Sequence, residues 1–380
     1  MGVKQMRKLV GIILLLILPI FLFMLSGCET AVKADEREIY VPVLADAAWL
    51  FADGAFISGV NLALEEMSSE YAGKEFVLKT AVIDDQALYE TGVEKATELA
   101  ADNTVTAVLN LQNFDVSKTT AGILAASGKP VLFPYGAYDS LFTQDNPYLF
   151  CGVPAFADLG EAMADYAKQK GYKRIAVYYN GLQSQEELVT AFELALLNSE
   201  AKVVDYISSI TSSSQFDAIY SRWQALDVDC VVIAQYGLEP AFEVLEIIRA
   251  RDPLLPILGE PIFNRANALA EHKAAAEGMV VPSTLVIEES EKLQSFRERY
   301  RQKYAQEADI WAVQGYDMMR LVVDTAIALE TNNPAKLAKA LHDEKGYWGV
   351  GRHIRFEKGG ALVVDRSKLP MLTCRNGQFR

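Results

Sequence analysis

The sequence predicts an α/β protein made of two lobes, each a parallel sheet with helices on both faces. Three observations carry that expectation. Strand-like and helix-like patterns alternate along most of the chain, as βαβ units do. The alternation restarts near residue 154, so there are two runs of it. Each run also holds a nearly continuous apolar strand, 105–109 in the first and 230–234 in the second, which suits strands covered on both faces. A chain of 380 residues has room for about two domains.

Taken in order, the chain opens on the basic residues Lys4, Arg7 and Lys8, followed by an uncharged, almost wholly apolar run over 9–25. Leu25-Ser26-Gly27-Cys28 closes that run. The order is that of a secretory signal peptide rather than a fold element. The closing residues resemble the lipobox of bacterial lipoproteins. That resemblance implies cleavage after residue 27, a lipid on the Cys28 thiol and a polar tether over 28–37. The alternative is an uncut N-terminal anchor, because the apolar run is about long enough to span a bilayer. Either way the remaining chain is expected outside the cytoplasm.

A strand is predicted over 39–44, where the residues are apolar and β-branched, and a helix over 54–67 with Phe56, Val60, Leu64 and Met67 on one face. Strands over 76–83, 105–109 and 130–133 alternate with helices over 90–101 and 119–126. The second run places helices at 159–170, 186–198, 216–225 and 240–250. Its strands fall at 174–179, 202–207, 230–234, 256–258 and 278–281. The last third is different. Charged and amphipathic patterns predict helices over 289–304 and 311–329, the second stopped by Asn332-Asn333-Pro334, then a helix over 335–342. Two strand-like stretches close the chain, 353–356 and 370–374, with Gly359-Gly360 turning between them.

Composition narrows the function. At 51% hydrophobic the chain can build full cores, and its formal charge of −14 argues against nucleic acid as a partner. Beyond Cys28 there are three cysteines, Cys151, Cys230 and Cys374, an odd number that leaves at least one free or paired between chains. Cys230 lies in an apolar strand and reads as a core residue. The three histidines, His272, His342 and His353, are scattered, and there is no nucleophile elbow, P-loop or zinc-binding helix motif. No catalysis and no cofactor are expected, and the working unit is expected to be a monomer.

The order of several segments resembles type I periplasmic binding proteins, specifically the branched-chain amino-acid-binding group of ABC importers. Residues 54–66 are similar to that family's first helix, and Asp84-Asp85 to the acidic pair ending its second strand. Val105-Thr106-Ala107-Val108-Leu109 and Gly128-Lys129-Pro130-Val131-Leu132 are similar to the strands entering its first two binding loops, and Gly315-Tyr316-Asp317 to its Tyr-Asp-Ala helix. The resemblance implies two Rossmann-like lobes joined by a hinge of three crossovers. Lobe one would be 38–153 with 282–356, and lobe two 154–281 with 357–380. It also implies an ABC permease as partner. The alternative is a sensor that presents its ligand to a membrane receptor.

In open parallel sheets, ligands bind beyond the carboxyl ends of strands, where helix N-termini offer free N–H groups. That places candidates on the loops at 110–117, 134–140 and 235–239. The resemblance assigns the first loop to a ligand carboxylate. Here the family's serine-threonine run is replaced by Gln112, Asn113, Phe114 and Asp115, with the nearest hydroxyl at Ser117. Asp115 or Asn113 would serve as the helix cap. The second loop, Tyr135, Gly136, Ala137 and Tyr138, resembles a turn that receives an ammonium, with Tyr138 offering either a hydroxyl to the ligand or a packed ring. From the second lobe the resemblance brings Ser184 or Gln183, Tyr236 and Glu260. A family tyrosine near Ser184 is missing here. Trp49 and Trp311 fall at wall positions. Aromatic walls with few placed polar groups are the usual small-ligand design.

Overall fold

The computed structural model describes residues 38–74, 76–142, 146–210, 212–285 and 287–380. The leader, Cys28 and the tether lie outside the described residues. The first predicted strand forms as two pieces, β1 (Glu38–Tyr40) and β2 (Val43–Ala45). Pro42 stands between them and has no N–H for a ladder. Their neighbour divides in the same way, into β3 (Val77–Lys79) and β4 (Val82–Asp84). β1 pairs with β3 and β2 with β4, both in parallel.

β5 (Val108–Asn110), β6 (Val131–Phe133) and β7 (Leu149–Cys151) complete a five-stranded parallel sheet in the order β4-β2-β5-β6-β7. The second sheet begins with β8 (Arg174–Tyr179), β9 (Lys202–Ile207), β10 (Cys230–Ala234), β11 (Ile257–Gly259) and β12 (Val280–Pro282), all parallel. A small hairpin follows, β13 (Tyr347–Trp348) with β14 (His353–Ile354). Then β15 (Met371–Arg375) and β16 (Gln378–Phe379) return to the second sheet as antiparallel edge strands, giving the order β16-β15-β12-β11-β10-β8-β9.

The result is the two-lobed α/β fold of parallel sheets that the alternation predicts. After Cys151 the chain leaves the first sheet for the second. It returns as the helices Glu291–Tyr304, Ile310–Ala328 and Pro334–Leu341, whose Phe296, Met318, Val322 and Leu337 share one core with Ile39, Phe56 and Leu109. The turn after β14 stays with the first sheet, since the Cys151 N–H donates to the Gly360 carbonyl at 2.8 Å. Only then does the chain cross to β15.

Helix packing is tight in both lobes. A Cβ on Gly59 or Gly315 would collide with the carbonyl oxygens of Ala312 and Phe56, so helices Ala55–Glu70 and Ile310–Ala328 touch backbone to backbone. Gly160 does the same against Leu188, joining helices Phe156–Lys170 and Gln183–Leu196. Cys151, Cys230 and Cys374 are all free and buried. Among the described residues no single helix is long and apolar enough to cross a membrane.

Candidate ligand-binding site

The segments leaving β2, β5, β6, β8, β10 and β11, with the start of helix Ile310–Ala328, place the predicted residues in three groups. The first is an aromatic box. Short helix Ala47–Asp53, which the sequence reading lacks, is capped by the Asp46 carboxylate and brings Trp49 to the cleft at 38% exposure. Trp49 meets Tyr135 edge to face at 5.3 Å, and Tyr135 lies against Trp311 at 4.1 Å and Phe56 at 5.5 Å. Gly136, at φ +97°, turns the chain so that Tyr135 and Tyr138 serve different groups. Trp311 begins helix Ile310–Ala328, capped by Asp309, whose carboxylate accepts from the Trp311 and Ala312 N–H groups. Burial pushes the Asp309 pKa up against those bonds.

A residue absent from the predicted set enters this box from the second lobe. The Arg265 guanidinium stands 4.7 Å from the Trp311 ring, 5.2 Å from Tyr135 and 5.6 Å from Trp49. Its Nη1 pairs with Asp53 at 3.4 Å. Such spacing is that of cation–π contact. The signal in the sequence is slight: a lone arginine five positions beyond Glu260, in the same strand-end loop.

The second group surrounds Asp115. Neither Asp115 nor Asn113 caps its helix through a side chain, a correction to the sequence reading: Asn113 occupies the cap position without a side-chain bond, and Asp115 lies in the first turn. Asp115 instead accepts a 2.5 Å hydrogen bond from the Tyr138 hydroxyl. Burial, then this bond, holds the Tyr138 phenol well above its ordinary pKa. Tyr138 is 4% exposed, so its hydroxyl is engaged within its own lobe. Ala137 is buried beside it, and Phe114 packs edge to face on Tyr138 and on Phe156 of the other lobe. Tyr236 leaves β10 just before Gly237, at φ +92°, and is 39% exposed. Burial, then the Asp115 charge, raises its pKa.

Side chains here also tie the lobes together. Lys118 donates to the Gln183 amide oxygen at 3.1 Å, and the Gln183 amide nitrogen donates to Ser140 and to Glu187, each at 2.9 Å. The Asp139 carboxylate accepts from the Phe156 and Ala157 N–H groups at 2.9 Å. Burial pushes Asp139 up to about 6.

The third group is a buried polar chain. The Ser184 hydroxyl donates to the Gln185 amide oxygen at 2.9 Å, and the Gln185 amide nitrogen donates to both Glu260 oxygens at 3.2 and 3.0 Å. Burial raises the Glu260 carboxyl to about 8, the Gln185 bond opposing it. Ser184 thus reaches Glu260 through Gln185, which the sequence reading missed. Gln112 turns inward as well. Its amide donates to Asp85 at 3.0 Å and accepts from Thr120 at 2.6 Å, and it holds the loop rather than projecting from it. Ser117 folds back on the Phe114 carbonyl at 2.9 Å.

The family described as periplasmic binding protein matches residues 39–365. No curated protein sequence matches the chain. Three solved structures show the likeness of fold. An ABC transporter substrate-binding protein from Desulfitobacterium hafniense, in complex with Leu, is similar at 24% identity and TM-score 0.81, over 90% of this chain and 99% of that one. The branched-chain amino acid transporter substrate binding protein LivJ from Streptococcus pneumoniae, in complex with isoleucine, is similar at 21% identity and TM-score 0.76, over 90% of this chain and 97% of that one. A solute binding protein of an ABC transporter from R. palustris, in complex with benzoate, is similar at 19% identity and TM-score 0.72, over 90% of this chain and 95% of that one.

Proposed function

Because the chain belongs to the periplasmic binding protein family, we propose that it is an extracytoplasmic solute-binding protein that holds one small polar molecule, an amino acid or related compound, between its lobes and delivers it to an ABC importer. The observation that carries this reading is the convergence of strand-end loops from both sheets. Trp49, Tyr135 and Trp311 of one lobe meet Arg265 of the other, and Lys118 meets Gln183. Such a cleft can clamp a molecule by hinge closure. The named ligands of similar structures, Leu, isoleucine and benzoate, all carry a carboxylate and an apolar body.

The chain works as a monomer in this reading. Residues 38–153 with 282–356 form one lobe and 154–281 with 357–380 the other, the turn through Val363 riding on the first. Tyr236, Tyr138, Phe114 and Glu260 line the ligand, with backbone groups of Gln112, Asn113, Gly136 and Ala137 at the loop crests. Cys28 carries a lipid that holds the protein at the membrane. Replacing Cys28 with Ala should leave the chain unprocessed or release it from membranes, and processed, membrane-bound Cys28→Ala protein would refute the anchor.

The main test is mass spectrometry of small molecules that co-purify with the protein, followed by thermal shifts with amino acids, amides and small carboxylates. A ligand at 100 times its dissociation constant should add about 2.7 kcal/mol to stability. If nothing co-purifies and no compound in these classes raises the melting temperature, the reading fails.

A further inference from the structure

We propose that the molecule carries a second binding site, apart from the cleft, where a small tetrahedral oxyanion such as phosphate or sulfate is held by Arg352 among the three segments that join the two sheets. The site does not depend on what the cleft takes. A cavity of about 220 Å³ is lined by Pro154, Thr284 and Val364, one from each passage of the chain between the sheets: after β7, after β12 and before β15. That volume is below the ~300–1,000 Å³ of pockets for drug-sized ligands, so the occupant is small.

The observation that carries the proposal is the state of Arg352, which lines this cavity. It is 6% exposed and makes no ion pair among the described residues. Only Nη2 is engaged, donating to the Gly152 carbonyl at 2.8 Å and to the Gln314 amide oxygen at 2.5 Å. Nε is enclosed and has no partner among the described residues. A buried charge is ordinarily paired, because the water it loses must be replaced by an opposite charge and hydrogen bonds. Burial accordingly pushes the Arg352 pKa down to about 10, the Asp317 charge opposing it. Asp317 forms no ion pair with Arg352 among the described residues. Its Oδ1 accepts from the Val350 N–H at 2.8 Å, and it does not line the cavity.

The rest of the lining suits the same charge. Arg355 and Lys368 add cations, against the carboxylates of Glu288 and Asp365. Lys368 and Asp365 pair with each other at 3.5 Å, and Asp365 also accepts from the Ser367 hydroxyl at 2.6 Å. Arg352 and Arg355 are then opposed by Glu288 alone, and neither Arg355 nor Glu288 has an ion pair among the described residues. His353 spends Nε2 on the Lys345 carbonyl at 2.6 Å. Thr284 is 9% exposed, and no hydrogen bond among the described residues takes up its hydroxyl. Donors that reach one small space from several segments of chain suit an ion with oxygens on several sides, and a guanidinium is well fitted to phosphate. The groove over Arg299 and Arg320 lacks this feature, because Glu66, Glu70 and Asp324 already pair with those arginines.

Calorimetry and thermal shift with sodium phosphate and sodium sulfate test this on the whole protein, in a buffer free of both, with sodium chloride at equal ionic strength as the control. Both oxyanions should bind and raise the melting temperature, and chloride should not. Arg352→Gln should weaken phosphate on the order of ten- to a hundredfold, as loss of a charged hydrogen bond does. Because Arg352 is buried, two exposed positions carry the test if that variant does not fold. Arg355→Gln should weaken phosphate several-fold, and Glu288→Gln, which removes the opposing carboxylate, should tighten it. Arg265→Gln, which removes the cation of the cleft, should leave phosphate affinity as it is. No response to either oxyanion beyond that to chloride would overturn the proposal. So would wild-type phosphate affinity in both Arg355→Gln and Glu288→Gln, which marks an adventitious ion only, or a loss in Arg265→Gln, which puts the anion in the cleft. Failure of every cleft-ligand screen would leave this site standing, and loss of this site would leave the solute-binding reading standing.

Discussion

Among the predicted site residues, Glu260 is a carboxyl whose surroundings strongly alter its chemistry. Burial holds its carboxyl at about 8, so the folded protein keeps a proton there that the unfolded chain releases near its ordinary value of 4.5. The native state then binds more protons than the unfolded state between those values, and stability falls as pH rises through that window. The contribution is fully present below pH 4.5 and gone above about 8. Asp139 and Asp317, which burial pushes up to about 6, act in the same direction but finish earlier. Melting temperatures taken from roughly pH 6.5 to 8.5 should therefore fall for the wild type and stay flatter for Glu260→Gln, since the difference isolates one titrating group. Parallel curves would mean that Glu260 ionises normally in the fold. At this scale the sequence is a mixed guide. Tyr135 is legible because it follows the end of a predicted strand, and Trp49 and Trp311 only through the resemblance, which puts them at wall positions. The inward turns of Gln112 and Ser184 are not, because they depend on partners such as Asp85, Thr120 and Gln185 that only the fold brings near.

Among the elements, the close helix pairs give the sharpest contrast between buried and open glycines. Gly59 and Gly315 face each other's helix at backbone distance, so a methyl group at either must push two helices apart. Gly59→Ala or Gly315→Ala should destabilise the protein by about 1–3 kcal/mol or more, as overpacking does. Gly122, exposed in helix Phe114–Ala126 with nothing within 4 Å, should behave in the opposite way. Gly122→Ala should stabilise by roughly 0.5–1 kcal/mol through helix propensity. Denaturant melts of the three variants decide it, and a stabilising Gly59→Ala would mean that the helices are not in contact. The alternation of strands and helices is legible because period and apolar content survive in short windows. The exceptions have local causes. Pro42 divides one expected strand, and helix Ala47–Asp53 is too short to show a face.

For the whole molecule, what matters is that neither lobe is a continuous piece of chain. The second sheet receives its edge from β15, whose Cys374 is fully buried in that lobe's core. Deleting residues 371–380 should strip β12 of its partner on one side, leaving only β11, and give a lobe that binds hydrophobic dye and is cut readily by protease, while ligand binding is lost. A truncated chain that melts cooperatively and binds ligand would show that the last strands are dispensable. The first lobe depends on distant chain as well: Tyr316 donates to Glu66 across 250 positions at 2.6 Å, where helix Ile310–Ala328 covers helix Ala55–Glu70. Contacts so far apart must wait for a long loop to close, which slows folding. A growing chain emerges N-terminus first, so the early helix appears long before its cover is made, and the second sheet waits for the final strands. The polypeptide is thus barred from finishing either lobe until it is nearly complete, and until then it remains the kind of loose, threadable strand that a narrow export channel can pass.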